Sequence, residues 1–109
     1  MMQKKILAAI VLTNIAIGFA VGSAAVPTEV TIDNFAFTPP SIMVQAGAEV
    51  TWLNRDDIPH TVTSADDPRV FKSSPLDTGD HFAFRFDKPG IYKYFCSLHP
   101  KMQGTVTVK

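Results

Sequence analysis

The stretch IYKYFCSLHPKMQGTVTV, residues 91–108, reads as strand, turn, strand. In its first part Tyr92 and Tyr94 share one side, as the two-residue period of a strand requires, and its last part, Gly104 to Val108, alternates threonine with valine. Between the two lie Cys96, His99 and Met102, evenly spaced by three, with Pro100 stiffening the segment. Neither part carries a helical period. Just upstream, Lys88-Pro89-Gly90 is a turn, and HFAFRF, residues 81–86, sets Phe82, Phe84 and Phe86 on one face against His81, Ala83 and Arg85 on the other.

The same alternation continues toward the N-terminus. TEVTIDNFAF (28–37) carries Val30 and Ile32, then Phe35 and Phe37; SIMVQ (41–45) and EVTWLN (49–54) alternate around the break at Ala46-Gly47-Ala48, and HTVTS (60–64) is a short strand. Pro39-Pro40 blocks any helix between them. Residues 64–80, SADDPRVFKSSPLDTGD, form the one long irregular segment, with a turn of helix expected around Val70 to Lys72. Seven to eight short strands without repeats or low complexity make the fold class all-β, a β-sandwich or small barrel. The expected core is Val30, Ile32, Phe35, Ile42, Val44, Val50, Trp52, Val62, Phe82, Phe84, Phe86, Ile91, Tyr94, Val106 and Val108. That list uses most of the aromatics structurally, so no stacking or ligand cage is assigned to them. Asp56-Asp57 and Asp66-Asp67 are expected to be solvated loop carboxylates.

Residues 1–25 read as a secretory signal peptide. Lys4 and Lys5 supply its positive start, Ile6 to Ala20 its apolar run, and Gly22-Ser23-Ala24 or Ser23-Ala24-Ala25 its small-residue cleavage site. The alternative is an uncleaved anchor, but the apolar run is short for a bilayer and nothing after Pro27 resembles a second span. Residues 26–109 then form one domain of 84 residues, small enough for a marginal core. Cys96 is the only cysteine, so no disulfide forms within the chain, and metal ligation would account for an unpaired thiol in an exported protein. The full chain is formally neutral; without Lys4 and Lys5 it holds eight basic and ten acidic residues. This balance argues against nucleic acid and against an anionic membrane surface as the main partner.

Thiolate and thioether are soft ligands and imidazole is borderline, so Cys96, His99 and Met102 suit copper rather than magnesium, calcium or manganese. One more strong donor is needed. Two histidines remain: His60 opens a strand after Pro59 and can point out of one end of a sandwich, whereas His81 lies opposite the phenylalanines and belongs on the solvent face. Gln103 is the fallback to Met102 as an axial donor. Structural zinc would want more cysteines or histidines, since methionine serves zinc poorly. A thiol hydrolase built on Cys96 lacks an oxyanion cradle and an orienting third group, so no enzyme activity is expected.

In these residues the chain resembles the cupredoxins, specifically their amicyanin-like branch with a short ligand loop. YFCSLHPKM matches Cys-x-x-His-x-x-Met, VTWLNRDDIPHTV matches the segment of the first histidine ligand, and the likeness runs from NFAFTPPSIMVQAGAEVTWLN to GTVTV. The resemblance implies a Greek-key sandwich with one type 1 copper at one end, ligated by His60, Cys96, His99 and Met102. It also implies a periplasmic, monomeric electron carrier in which His99 reaches the surface through an apolar patch and meets redox donor and acceptor proteins, with Lys101 at the rim. Copper storage or delivery without redox cycling is the competing function. Thr61 stands where asparagine often ties the first histidine loop to the cysteine loop, and its shorter side chain leaves that tie open. Lys101 stands where a relative can carry an aromatic residue, which favours an acidic partner.

Overall fold

The computed structural model describes residues 28–109; the signal peptide expected at 1–25 lies outside them. Eight strands are found among the described residues, and no helix: β1 Glu29–Asp33, β2 Ala36–Thr38, β3 Ser41–Val44, β4 Ala48–Asn54, β5 Thr63–Ser64, β6 His81–Phe86, β7 Gly90–Cys96 and β8 His99–Val108. They form two four-stranded sheets, one in the order β2-β1-β4-β6 and the other β3-β8-β7-β5. Two pairings are parallel, β1 with β4 and β3 with β8; the rest are antiparallel. Consecutive strands β3 and β4 thus belong to different sheets, and the chain crosses the sandwich at the Gly47 turn.

Inward positions of both sheets meet in one core. Val30, Ile32, Val50, Trp52, Val62, Tyr94 and Val106 are essentially inaccessible, and Ile42, Val44, Phe86 and Val108 are buried beside them. Each fully buried aliphatic side chain of this kind contributes about 1.5–3 kcal/mol. Phe82 and Phe84 are half-buried and pack against this cluster.

Two expected core residues lie outside it. Phe35 is 52% exposed because Asp33 pairs with Ala36, which puts Asn34 and Phe35 at the tip of a hairpin and hands the inward position to Phe37. Ile91 is 66% exposed because it shares the outward side of β7 with Lys93, opposite Tyr92, Tyr94 and Cys96. The expected helical turn at Val70 to Lys72 is extended instead. There Ser64 N–H bonds to the Phe71 carbonyl, Ser73 N–H bonds to that of Val62, and Phe71 and Leu76 enter the core. Irregular text therefore hid a segment that runs alongside residues 60–64 and closes the sandwich.

Candidate metal centre

Three elements meet at one end of the sandwich. Cys96 is the last residue of β7, His99 the first of β8, and the two face each other across a tight turn at Ser97-Leu98, just past a register shift between Phe95 and Cys96. His60 arrives from the 55–60 loop. Its backbone exchanges both hydrogen bonds with Leu76, N–H to carbonyl at 3.1 Å and carbonyl from N–H at 2.7 Å, so the long irregular segment pins it. Met102 is buried in β8 and lines a surface depression with Phe35, Leu98, His99, Pro100 and Lys101.

The donor atoms of His60, Cys96 and His99 all lie within 4.8 Å of one another. Each histidine turns its Nδ1 toward the sulfur, at 3.7 Å in both cases. Bonds of about 2.0–2.1 Å to nitrogen and about 2.3 Å to sulfur, opened by about 120°, would set nitrogen and sulfur about 3.8 Å apart, using zinc-site lengths as the yardstick. The site therefore fits a metal ion. Two imidazoles, a thiolate and a nearby thioether are the donor set of a blue-copper centre.

Surrounding groups fix these donors. His60 Nε2 lies 2.9 Å from Asp56 Oδ2, which leaves Nδ1 for the sulfur side. Asp56 also accepts the N–H groups of Phe35 and Asp57, at 3.1 and 3.0 Å. The hydrogen bond from His60, followed by that from Phe35, holds its carboxyl below the usual aspartate range. Asp56 was expected to be a solvated loop carboxylate and is instead buried; Asp57 is the one that faces water. The loop itself is wound around Asn54, whose amide donates to the carbonyls of Ile58 and Leu76 and whose Oδ1 accepts the Asp56 N–H.

Thr61 settles the open tie between loops. Its Oγ1 accepts the Ser97 N–H at 2.8 Å and contacts the Ser97 and Thr63 hydroxyls, while its own N–H donates to Cys96 Sγ at 3.3 Å. A threonine thus makes the connection between the two loops. Burial pushes the Cys96 thiol up, but the hydrogen bonds from Thr61 N–H and Leu98 N–H, together with the two imidazole rings beside the sulfur, outweigh it and hold the pKa down at about 6. A thiol lowered in this way is readied to bind a metal as the thiolate.

The remaining candidates separate cleanly. His81 is on the solvent face, as its alternation requires. Gln103 is exposed, its amide donating to the Pro100 carbonyl at 3.3 Å. Asp56, Asn54 and Phe35 were not expected at the site; an acidic residue four before a histidine in a tight loop was the one available signal.

A two-sheet β-sandwich that gathers a thiolate and two imidazoles at one end defines a copper protein of the cupredoxin class. Residues 24–109 match the model of the copper binding proteins, plastocyanin/azurin family, and the chain belongs to that family. Amicyanin-alpha of Methylorubrum extorquens is 36% identical over 85 residues, spanning 75% of this chain and 71% of the relative. A plastocyanin of Scenedesmus fuscus is 33% identical over 84 residues, spanning 67% and 86% respectively. Among solved structures, a novel purple cupredoxin from Nitrosopumilus maritimus superposes with a TM-score of 0.71 at 36% identity, over 75% of this chain and 99% of that one. A reduced mutant of amicyanin gives 0.71 at 28% identity, over 83% and 89%. The cofactor that goes with this fold and donor set is copper, one per chain.

Proposed function

We propose that this chain is a periplasmic, mononuclear blue-copper electron carrier, exported by residues 1–25 and folded over residues 26–109. His60, Cys96 and His99 are its strong ligands and Met102 the weak axial one. The observation that carries this reading is the placement of both Nδ1 atoms 3.7 Å from the Cys96 sulfur. Bound copper supplies a one-electron couple between Cu(I) and Cu(II). The chain supplies rigidity: Asp56 fixes the His60 ring, Thr61 joins the His60 and Cys96 loops, and two sheets buttress them, so the donors move little when the charge changes. No substrate position is required.

Donor and acceptor proteins dock at His99, the half-buried ligand, where Phe35, Leu98 and Pro100 make an apolar collar and exposed Lys101 a cationic rim. Such a face suits a redox protein with an apolar centre and acidic edge. Among the described residues no helix is long and apolar enough to cross a membrane.

The test is a Cu(II) titration of the exported protein, expressed from its full sequence, followed by visible absorption and electron paramagnetic resonance. The expected result is an intense thiolate-to-copper band with narrow copper hyperfine splitting, saturating at one metal per chain and bleached by reductant. Copper bound without that band would replace electron transfer with storage or delivery.

A further inference from the structure

The β1–β2 hairpin closes through a two-residue loop, Asn34-Phe35, with Asp33 paired to Ala36. Both loop residues are left-handed, at φ 49° and 58°. A turn of this kind favours asparagine followed by glycine, because the second residue also needs positive φ. Asparagine visits that region readily, whereas a bulky aromatic there is a conformational outlier. Core burial does not explain it, since half of Phe35 faces water.

What the strained position provides is contact with both histidines. The Phe35 ring meets His99 edge-on at 5.0 Å between centroids and His60 edge-on at 5.7 Å, and the two imidazoles are themselves 5.0 Å apart. A second route runs through the backbone. Phe35 N–H donates to Asp56 Oδ2, the same oxygen that holds His60 Nε2. Strained backbone kept at a site by its surroundings points to a role in that site.

We infer that Phe35 is a positioning residue of the metal centre: the hairpin tip is a clasp that holds the His60 and His99 rings in their donor orientation. The inference rests on the copper reading above. Its consequence is an opposition between turn and centre. Glycine at position 35 would suit the turn better and would release the rings.

The experiment compares the parent protein with Phe35→Gly, Phe35→Leu and Phe35→Tyr. Three readings are taken: thermal melting of the copper-free protein, nuclear magnetic resonance of the His99 ring in that form, and the rate at which a Cu(I) chelator strips the reduced protein. Phe35→Gly should melt no lower than the parent yet broaden the His99 ring signals and lose Cu(I) roughly 3- to 10-fold faster, the scale of one or two aromatic pairs. Phe35→Leu, which keeps the apolar bulk and the strained turn but no ring, should release copper as Phe35→Gly does, and Phe35→Tyr should behave as the parent. Parent-like release and ring signals in Phe35→Leu, or fast release in Phe35→Tyr, would overturn the clasp. A parent without the thiolate-to-copper band would instead overturn the copper reading, and the ring signals of the copper-free variants would still judge the clasp.

Discussion

Asp56 decides which nitrogen His60 can offer. A neutral imidazole has one N–H and one lone pair, and donating Nε2–H to the Asp56 carboxylate leaves the Nδ1 lone pair facing the Cys96 sulfur. Asp56→Ala would leave a buried ring N–H unpaired and free the ring to turn. Loss of an outer partner of this type lowers metal affinity by about 10- to 100-fold, and a Cu(I) competition titration against a chelator of known affinity should read a loss of that size. Parent-like affinity would mean that Leu76 and Pro59 alone orient the ring. Which aspartate does this was not legible beforehand, because Asp56 and Asp57 are the same residue type in the same loop. Only the hydrogen bond from Asp56 N–H to Asn54 Oδ1, a turn built by a side chain, sends one carboxylate inward and the other to water. Cys96 and His99 were legible for the opposite reason: they flank one tight turn, where spacing alone brings their donor atoms together.

At the scale of elements, β7 and β8 stand out because they carry three of the four proposed ligands and share one unusual contact. Tyr94 lies opposite Gly104 across the pair, and a Cβ added at Gly104 would come within 2.3 Å of the tyrosine ring carbon Cζ and hydroxyl. The glycine is the floor on which the ring lies. Gly104→Ala must displace a ring that also packs on Phe37 and Trp52, at 4.7 and 5.3 Å. Overpacking of this kind costs about 1–3 kcal/mol, which should appear as a lower melting temperature of the copper-free protein, and an unchanged one would mean that the sheet yields easily. Strand identities were legible because alternation survives in β1, β3, β4, β6, β7 and β8. Positions were lost where turn geometry outranks alternation, as at Phe35, or where a segment pairs without a strand-like pattern, as from Phe71 to Leu76.

Two properties belong to the molecule as a whole. Tyr94 lies in the middle of the core, and among the described residues neither its hydroxyl nor Trp52 Nε1 has a hydrogen-bond partner. Burial pushes the Tyr94 hydroxyl up to about 12, and the Trp52 indole, which makes no full hydrogen bond to it, offsets only part of that. A folded pKa above the unfolded value near 10 favours the fold below pH 10 and ceases to favour it as pH rises toward 12. Denaturant melts of the copper-free protein should lose up to about 3 kcal/mol across that window, and a Tyr94→Phe variant should lose less. The other property is the field at the proposed docking end. Lys101→Glu should slow electron exchange with a partner of acidic edge by several-fold at low ionic strength, with the difference fading as salt shortens the screening length. A rate indifferent to both substitution and salt would place the partner elsewhere. The join between His60 and Cys96 has a last consequence. These residues lie 36 apart in the chain, and a metal held by both becomes a covalent-like cross-link where a single cysteine can form no disulfide within the chain. Closing a loop of that length restricts the unfolded chain by about 3–4 kcal/mol in the chain-entropy picture, so a bound copper would also staple the small sandwich shut.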